Sequence, residues 1–429
     1  MSIKYKHMKI YVLVLSVLFC CTTVWAQPTA KERPVPCNGS ADLLPGKYTD
    51  HSNPKYPHSL KASTTDKAVM MKQLIALEKT EEASRTKFQL TGGVARVSFS
   101  GGNKNRFGDY GYNSYGYQLG LYQNVCHVSE LVVKTVDEYR SVFRVNINAG
   151  FGSGNHYGYE GDFYVTDKKV RYRIAIEAKE GINYERDRFN NRSLITRYLT
   201  EDMVLASRSD NYKDFHGDFL KLINGDGYVE NWLNGSRYDK PRPNSYQWID
   251  RHYIISRPGI PLLVPVTRKA YLEALLEYYE IEKTNFQIAV AYKIKSEPAN
   301  AGICEADKIA YTKVYENKKA RVQQLLASSS VNWLQQAAVV IKDLRPNDYS
   351  KASNGLLDFE KFYDGDPKGI TLYQYNTEYF KTNAGQPLQP EFIEVQIRYE
   401  LGEGRGFSKR YFDNFLENYK LEDLRKMLQ

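Results

Sequence analysis

In Val170-Arg-Tyr-Arg-Ile-Ala-Ile-Glu-Ala178 the residues Val170, Tyr172, Ile174 and Ile176 alternate with Arg171, Arg173 and Ala175. A side-chain period of two belongs to a β-strand, and a strand apolar on one side only belongs to a sheet wetted on its other face, the antiparallel habit. Gly161 to Thr166 reads as a strand as well, and Asp167-Lys-Lys169 between them is short enough to close a hairpin. Upstream, Val94 to Ser100, Tyr115 to Val125 and Tyr139 to Asn148 are rich in Val, Ile, Tyr and Phe and are separated by Gly and Asn clusters. Residues 88–178 therefore form an antiparallel region.

Helices flank it. Ser63-x-x-Asp66 has the spacing of a capping box, and Met70, Leu74 and Leu77 follow at helical intervals, predicting a helix that ends near Lys87. Downstream, residues 179–267 give a mixed signal, with aromatic patches at Trp232 and Trp248, a turn at Asn224-Gly-Asp-Gly227 and an apolar stretch at His252 to Ser256. Pro258, Pro261 and Pro265 keep the next segment extended. Thr267 is a good N-cap for a helix to about Lys295 with Leu272, Leu275, Leu276, Tyr279, Phe286 and Val290 on one face. A break at Glu297 to Gly302 precedes a second helix from Cys304 to about Ala327, and a third is expected over Val331 to Ile341. So short a connection predicts an antiparallel helical hairpin. Strands at Ile370 to Tyr375 and Phe392 to Leu401 and a helix near Leu421 to Leu428 complete the chain.

The expected fold is α+β: a β-rich antiparallel N-terminal half, a helical hairpin and a small mixed C-terminal segment. Its divisions fall at residues 1–26 (a leader), 27–62 (a Pro-rich extended segment), 63–266 (a helix with the β-rich domain), 267–345 (the helical hairpin) and 346–429 (the mixed tail). No fixed-period repeat is present.

The leader has the layout of a cleavable secretory signal. Lys4, Lys6 and Lys9 precede an uncharged run from Ile10 to Ala26, and Val24-Trp25-Ala26 places a small residue before Gln27, so cleavage is expected between Ala26 and Gln27. Losing those three lysines lowers the formal charge from +9 to +6, and losing Cys20 and Cys21 leaves Cys37, Cys126 and Cys304. The mature chain reads as globular and exported to the periplasm, outer surface or medium, with no integral membrane span after processing. In an oxidising compartment two of the three cysteines can pair, and spacing alone does not say which.

Catalytic motifs are scarce. There is no G-x-S-x-G elbow; S-x-x-K occurs at Ser52 to Lys55 and Ser84 to Lys87, with Ser209-Asp-Asn211 elsewhere, but K-T-G is missing. His51, His58, His127, His156, His216 and His252 are scattered without H-E-x-x-H, no cysteine pair has C-x-x-C spacing, and Asn224 to Gly227 and Asp364-Gly-Asp366 lack the register of a calcium loop. Neither a metal nor another cofactor is expected. Lys318-Lys319-Ala-Arg321 lies on a helix beside Glu316 and makes no basic stripe, so nucleic acid is not an expected partner.

Tyrosine is the unusual feature, at 35 residues, or about 8 % of the chain against a typical level of roughly 3 %. It concentrates at Phe107-Gly-Asp-Tyr110-Gly-Tyr112-Asn-Ser-Tyr115-Gly-Tyr117 and at Tyr157-Gly-Tyr159. Flat amphipathic rings on a Gly-rich backbone suit stacking on sugars or lining a protein interface, which makes Tyr110, Tyr112, Tyr115, Tyr117, Tyr157 and Tyr159 the candidate binding residues. A tyrosine-rich sheet is the plainer alternative.

Gln73-Leu-Ile-Ala-Leu-Glu-Lys-Thr-Glu-Glu-Ala-Ser84, Pro265-Val-Thr-Arg-Lys-Ala-Tyr-Leu-Glu273, Asn376-Thr-Glu-Tyr-Phe380 and Phe392-Ile-Glu-Val395 resemble segments of uncharacterised exported proteins of Gram-negative bacteria. The resemblance implies export and brings no activity with it. The expectation is a noncatalytic envelope protein that binds glycan or another envelope protein through its tyrosines. The alternative is a hydrolase whose site assembles only in the fold.

Overall fold

The computed structural model describes residues 36–37, 41–53, 58–107, 109–151, 160–163, 172–175, 198–201, 204, 219–225, 227–234, 247–341, 360–401 and 406–428. Its strands are β1 (Lys47–Tyr48), β2 (Ser59–Leu60), β3 (Gly93–Phe107), β4 (Tyr110–His127), β5 (Val132–Ile147), β6 (Glu160–Phe163), β7 (Tyr172–Ala175) and β8 (Leu199–Thr200). Then come β9 (Val229–Asn234), β10 (Gln247–Ile255), β11 (Leu263–Pro265), β12 (Val339–Ile341), β13 (Gly369–Tyr375) and β14 (Ile393–Leu401). The helices are α1 (Thr64–Ser84), α2 (Phe219–Ile223), α3 (Arg268–Ser296), α4 (Ala301–Ser328), α5 (Val331–Leu334), α6 (Thr377–Lys381), α7 (Gly406–Asn418) and α8 (Leu421–Arg425). The chain is α+β, with strands dominating its first half and helices more prominent in its second.

The main sheet runs β1-β3-β4-β5-β14-β10-β9, with β2 also on β3. Both β1 and β2 join β3 in parallel, while every other pairing in this sheet is antiparallel. Odd-numbered residues of the central strands face one side: Ala95, Val97 and Phe99 of β3, Tyr117 and Leu119 of β4, Phe143 and Val145 of β5, and Val395 and Ile397 of β14. α1 supplies Met70, Leu74 and Leu77 to this layer, and α7 supplies Phe407, Tyr411, Phe412 and Phe415. Ser63 caps α1 as expected, its hydroxyl accepting from Asp66 N at 3.2 Å, and the helix stops at Ser84, three residues short of the expected end.

Several expectations need correction. The tyrosines from Tyr110 to Tyr117 lie in a strand and not on a flexible Gly-rich segment: β4 pairs with β3 there, with Phe107 opposite Tyr110 and Asn105 opposite Tyr112. The glycines here allow close packing, since a Cβ on Gly116 would lie 2.4 Å from Asn146 Oδ1 of the neighbouring strand. The segment after residue 346 is not a separate tail. β14 lies between β5 and β10 in the middle of the main sheet, so the core under the helices draws on residues from Met70 to Leu428 and no boundary at 258–266 divides it. The expected third helix ends at Leu334. Beyond it Ala338 N donates to Val266 O at 2.8 Å and β12 pairs with β13, because extended backbone there completes a second, small sheet of β11, β13, β12 and β8.

The hairpin of Gly161 to Thr166 with Val170 to Ala178 is present in its described part: β6 and β7 pair antiparallel, Gly161 opposite Ile174, but as a separate two-stranded sheet. Its turn at Asp167 to Lys169 lies outside the described residues, as do Tyr157, Tyr159, Ser209 to Asn211 and residues 1–26. α3 and α4 form the helical hairpin, with Thr267 as N-cap accepting from Ala270 N at 3.2 Å, and Tyr279, Phe286, Tyr311 and Tyr315 in its own core. Among the described residues no helix is long and apolar enough to cross a membrane.

Candidate binding face

The predicted tyrosines are mostly interior. Tyr112 and Tyr115 are 1 % exposed and Tyr117 is 0 % exposed, so none of the three rings is available for a ligand to stack on. Each hydroxyl finds an acceptor inside the protein: Phe380 O at 3.1 Å for Tyr112, Leu388 O at 2.8 Å for Tyr115 and Glu81 Oε2 at 3.2 Å for Tyr117. Strand alternation divides the set, sending Tyr115 and Tyr117 under α1 and Tyr112 into an aromatic cluster with Phe107, Phe380 and Phe392. Tyr110 is half-buried against that cluster. None of these belongs to the core of the helical hairpin.

The polar chemistry lies on the opposite face of the sheet. Ile393-Glu-Val-Gln-Ile-Arg-Tyr-Glu400 alternates strictly, so the side that buries Val395 and Ile397 beneath the helices turns Glu394, Gln396 and Arg398 the other way. The same parity puts Gln118 of β4, Arg144 of β5 and Asp250 and His252 of β10 on that face. Register aligns them: Ser98 is opposite Gln118, Gln118 opposite Arg144, Arg144 opposite Gln396, and Gln396 opposite His252. One polar row thus crosses five strands, with cross-strand neighbours close enough to bond. Asp250 opposite Arg398 stands in the next row.

Bonds link it from Gln118 through Arg144 to Gln396 and on to Asp250. Arg144 Nε donates to Gln118 Oε1 at 2.7 Å, Nη1 to Gln396 Oε1 at 3.1 Å and Nη2 to the Tyr139 hydroxyl at 2.7 Å. Gln396 Nε2 donates to both oxygens of Asp250 at 3.0 Å, an amide orientation that serves the guanidinium and the carboxylate together. Arg398 Nε lies 3.2 Å from Asp250 Oδ2. The His252 ring stands between two carboxylates, with Nδ1 3.0 Å from Glu394 Oε1 and Nε2 3.4 Å from Asp250 Oδ1. Toward β3 the row borders on aromatic rings: Arg96 stacks 4.0 Å above Tyr122, which meets Tyr139 edge-on at 6.2 Å.

Electrostatics follow from those partners. Burial opposes charge on His252, yet its bonds to Asp250 and Glu394 win and raise its pKa above the usual 6.5. Burial likewise pushes Asp250 upward, but His252, Arg398 and Gln396 outweigh it and hold the carboxyl below 3.8. A doubly protonated imidazole donates from both nitrogens and has none free to accept a proton. A second buried carboxylate lies under the helices: Glu81 accepts from Tyr117 and Tyr411 and pairs with Arg85 at 3.2 Å, and burial pushes its pKa up to about 7.

Cysteine chemistry is closed off as well. Cys37 and Cys126 form a disulfide, with Cα atoms 5.8 Å apart, that ties the N-terminal segment to the β4–β5 hairpin, while Cys304 is buried in the helical hairpin. Cys126 therefore offers no thiol to His127. The Asn224 and Asp366 segments are turns, in which Asn224 Oδ1 accepts from Leu262 N at 2.6 Å and Asp366 Oδ1 from Lys368 N at 2.8 Å. Among the described residues no group of three His, Cys, Asp or Glu side chains is placed to hold a metal ion. Comparison with protein-family models, with curated proteins and with solved structures finds no match.

The sequence reading took His252 for one of several scattered histidines and passed over Gln118, Arg144 and Gln396. The available signal was the alternation of Glu394, Gln396 and Arg398 within a strand already expected. That these align with Arg144 and His252 depends on pairings between segments far apart in the chain, which alternation does not encode.

Proposed function

We propose that this chain is an exported, noncatalytic binding protein whose site is the polar face of its main sheet, and that its ligand is a glycan. The observation that carries the reading is the half-buried pair Gln118 and Arg144, prealigned on rigid strands by the buried Gln396 and His252 behind them and bordered by Tyr122 and Tyr139. Amides and arginines suit sugar hydroxyls, and tyrosine rings suit the apolar faces of pyranoses. The bond of His252 Nδ1 to Glu394, the closeness of its Nε2 to Asp250, and the contacts of Asp250 with Arg398 and Gln396 weigh against a general base and so against the hydrolase alternative. Export is supported by the leader-like residues 1–26 and by the Cys37–Cys126 disulfide, a bond characteristic of oxidising compartments.

A glycan array probed with the chain lacking residues 1–26, and with its Gln118→Ala/Tyr139→Ala variant, tests this. The wild type is expected to capture a defined subset of glycans and the double variant to lose most of that signal while keeping its far-ultraviolet dichroism. Undiminished capture by a folded double variant would remove the site from this face.

A further inference from the structure

We infer that the glycan bound here is acidic, bearing carboxylate or sulfate groups, and that Arg144 receives the anionic group. This rests on the binding reading above and names the ligand class for the same face. Arg144 is half-buried at the centre of the row, and its three hydrogen-bond partners, Gln118, Gln396 and Tyr139, are all neutral. Among the described residues no carboxylate pairs with it. The neighbouring charges are already matched: Asp250 with Arg398, and Glu394 with His252. Arg144 is therefore a guanidinium with no carboxylate partner among the described residues, in a place where partial burial makes an uncompensated charge costly.

Its donors point the same way. A guanidinium has five N–H groups, and three partners leave two of them, one on each terminal nitrogen, a pair suited to two oxygens of one carboxylate or sulfate. Arg96, stacked on Tyr122, adds a second guanidinium along the same face. A polysaccharide is favoured over an acidic peptide because the Tyr139 ring borders the cation, meets Tyr122 edge-on and is 39 % exposed, which gives a pyranose a surface beside the charge it carries.

The test is titration of the chain lacking residues 1–26 with four labelled polymers of matched length, namely polygalacturonate, dextran sulfate, neutral dextran and poly-glutamate. The variants are Arg144→Gln, Arg144→Lys and, as a charge control on the helix-covered side, Lys409→Gln. The inference expects one or both acidic polysaccharides to bind at least tenfold tighter than dextran. Arg144→Gln should erase that margin, Arg144→Lys keep part of it, and Lys409→Gln keep all of it. At equal ionic strength the preferred polymer should also raise the wild-type melting temperature, a readout independent of whether Arg144→Gln folds. Dextran bound as tightly as the acidic polymers, and lost in Gln118→Ala/Tyr139→Ala, would overturn the acidic ligand and leave the binding face standing. Equal losses in Arg144→Gln and Lys409→Gln would reduce the effect to net charge and overturn the inference. Preference for poly-glutamate would overturn the glycan. Failure of all four to bind the wild type would overturn the inference outright.

Discussion

Glu81 and Asp250 are carboxylates buried on opposite faces of one sheet, at 0 % and 1 % exposure, yet their pKa values move in opposite directions. Glu81 is driven up to about 7 although it has two tyrosine hydroxyls and Arg85, because its surroundings are otherwise the apolar layer beneath α1 and α7. Asp250 is held below 3.8 because Gln396, Arg398 and His252 all donate to it or lie beside it. The degree of burial is the same, so the partners decide the charge state. One face is a core that tolerates a polar group; the other is a polar network assembled across strands. That difference is why the second face, and not the tyrosine run inside the first, is the candidate site.

The contrast can be broken first at Asp250. Replacing it with Ala strands Arg398 and His252 without their shared carboxylate and is expected to cost about 4 kcal/mol in urea unfolding at pH 7. A loss below about 1 kcal/mol would mean the network is looser than its geometry. Next comes Glu81→Gln. A carboxyl whose folded pKa exceeds its unfolded value stabilises fully below 4.5 and loses that contribution as pH rises toward 7, a change of about 3 kcal/mol. The variant should therefore match the wild type near pH 4 and gain on it progressively up to pH 8. Parallel stability profiles would place Glu81 in a wetter setting.

His252→Gln follows, expected to cost about 2 kcal/mol for its buried bond to Glu394 and its closeness to Asp250. The sign of its pH dependence is fixed by the raised pKa: the stabilisation is complete below 6.5 and fades as pH rises through the folded value, whereas that from Asp250 is complete above 3.8 and fades as pH falls through its lower folded value. Together with Glu81 these place the wild-type melting maximum on the mildly acidic side of neutrality. A maximum above pH 8 would contradict the combination. The smallest expected effect is at the rim, where Tyr139→Ala should change stability by no more than about 0.5 kcal/mol while weakening glycan capture, separating a binding residue from a core one.

Much of the fold was legible because it is local. The Ser63 cap, the Thr267 cap, the helical hairpin and the strand over Phe392 to Leu401 all follow from spacing within one segment. The position of that last strand between β5 and β10 was not legible, because it is a pairing across the whole chain. The tyrosine run misled for a related reason. Tyrosine combines high β propensity with a polar tip, so composition cannot distinguish a ring exposed on a loop from one buried with its hydroxyl bonded to Leu388 O or Glu81. His252, which looked like one scattered histidine among several, acquires its meaning only from Asp250 two residues before it and Glu394 on the adjacent strand.

The protonation state of His252 tests the central claim most directly, since a binding face and a hydrolytic one differ in whether that ring can accept a proton. Its ring-nitrogen resonances, followed by NMR in the chain lacking residues 1–26 and assigned with His252→Gln, should show a titration midpoint above 6.5. A midpoint at or below 6.5 would put an ordinary base on this face and contradict the noncatalytic account.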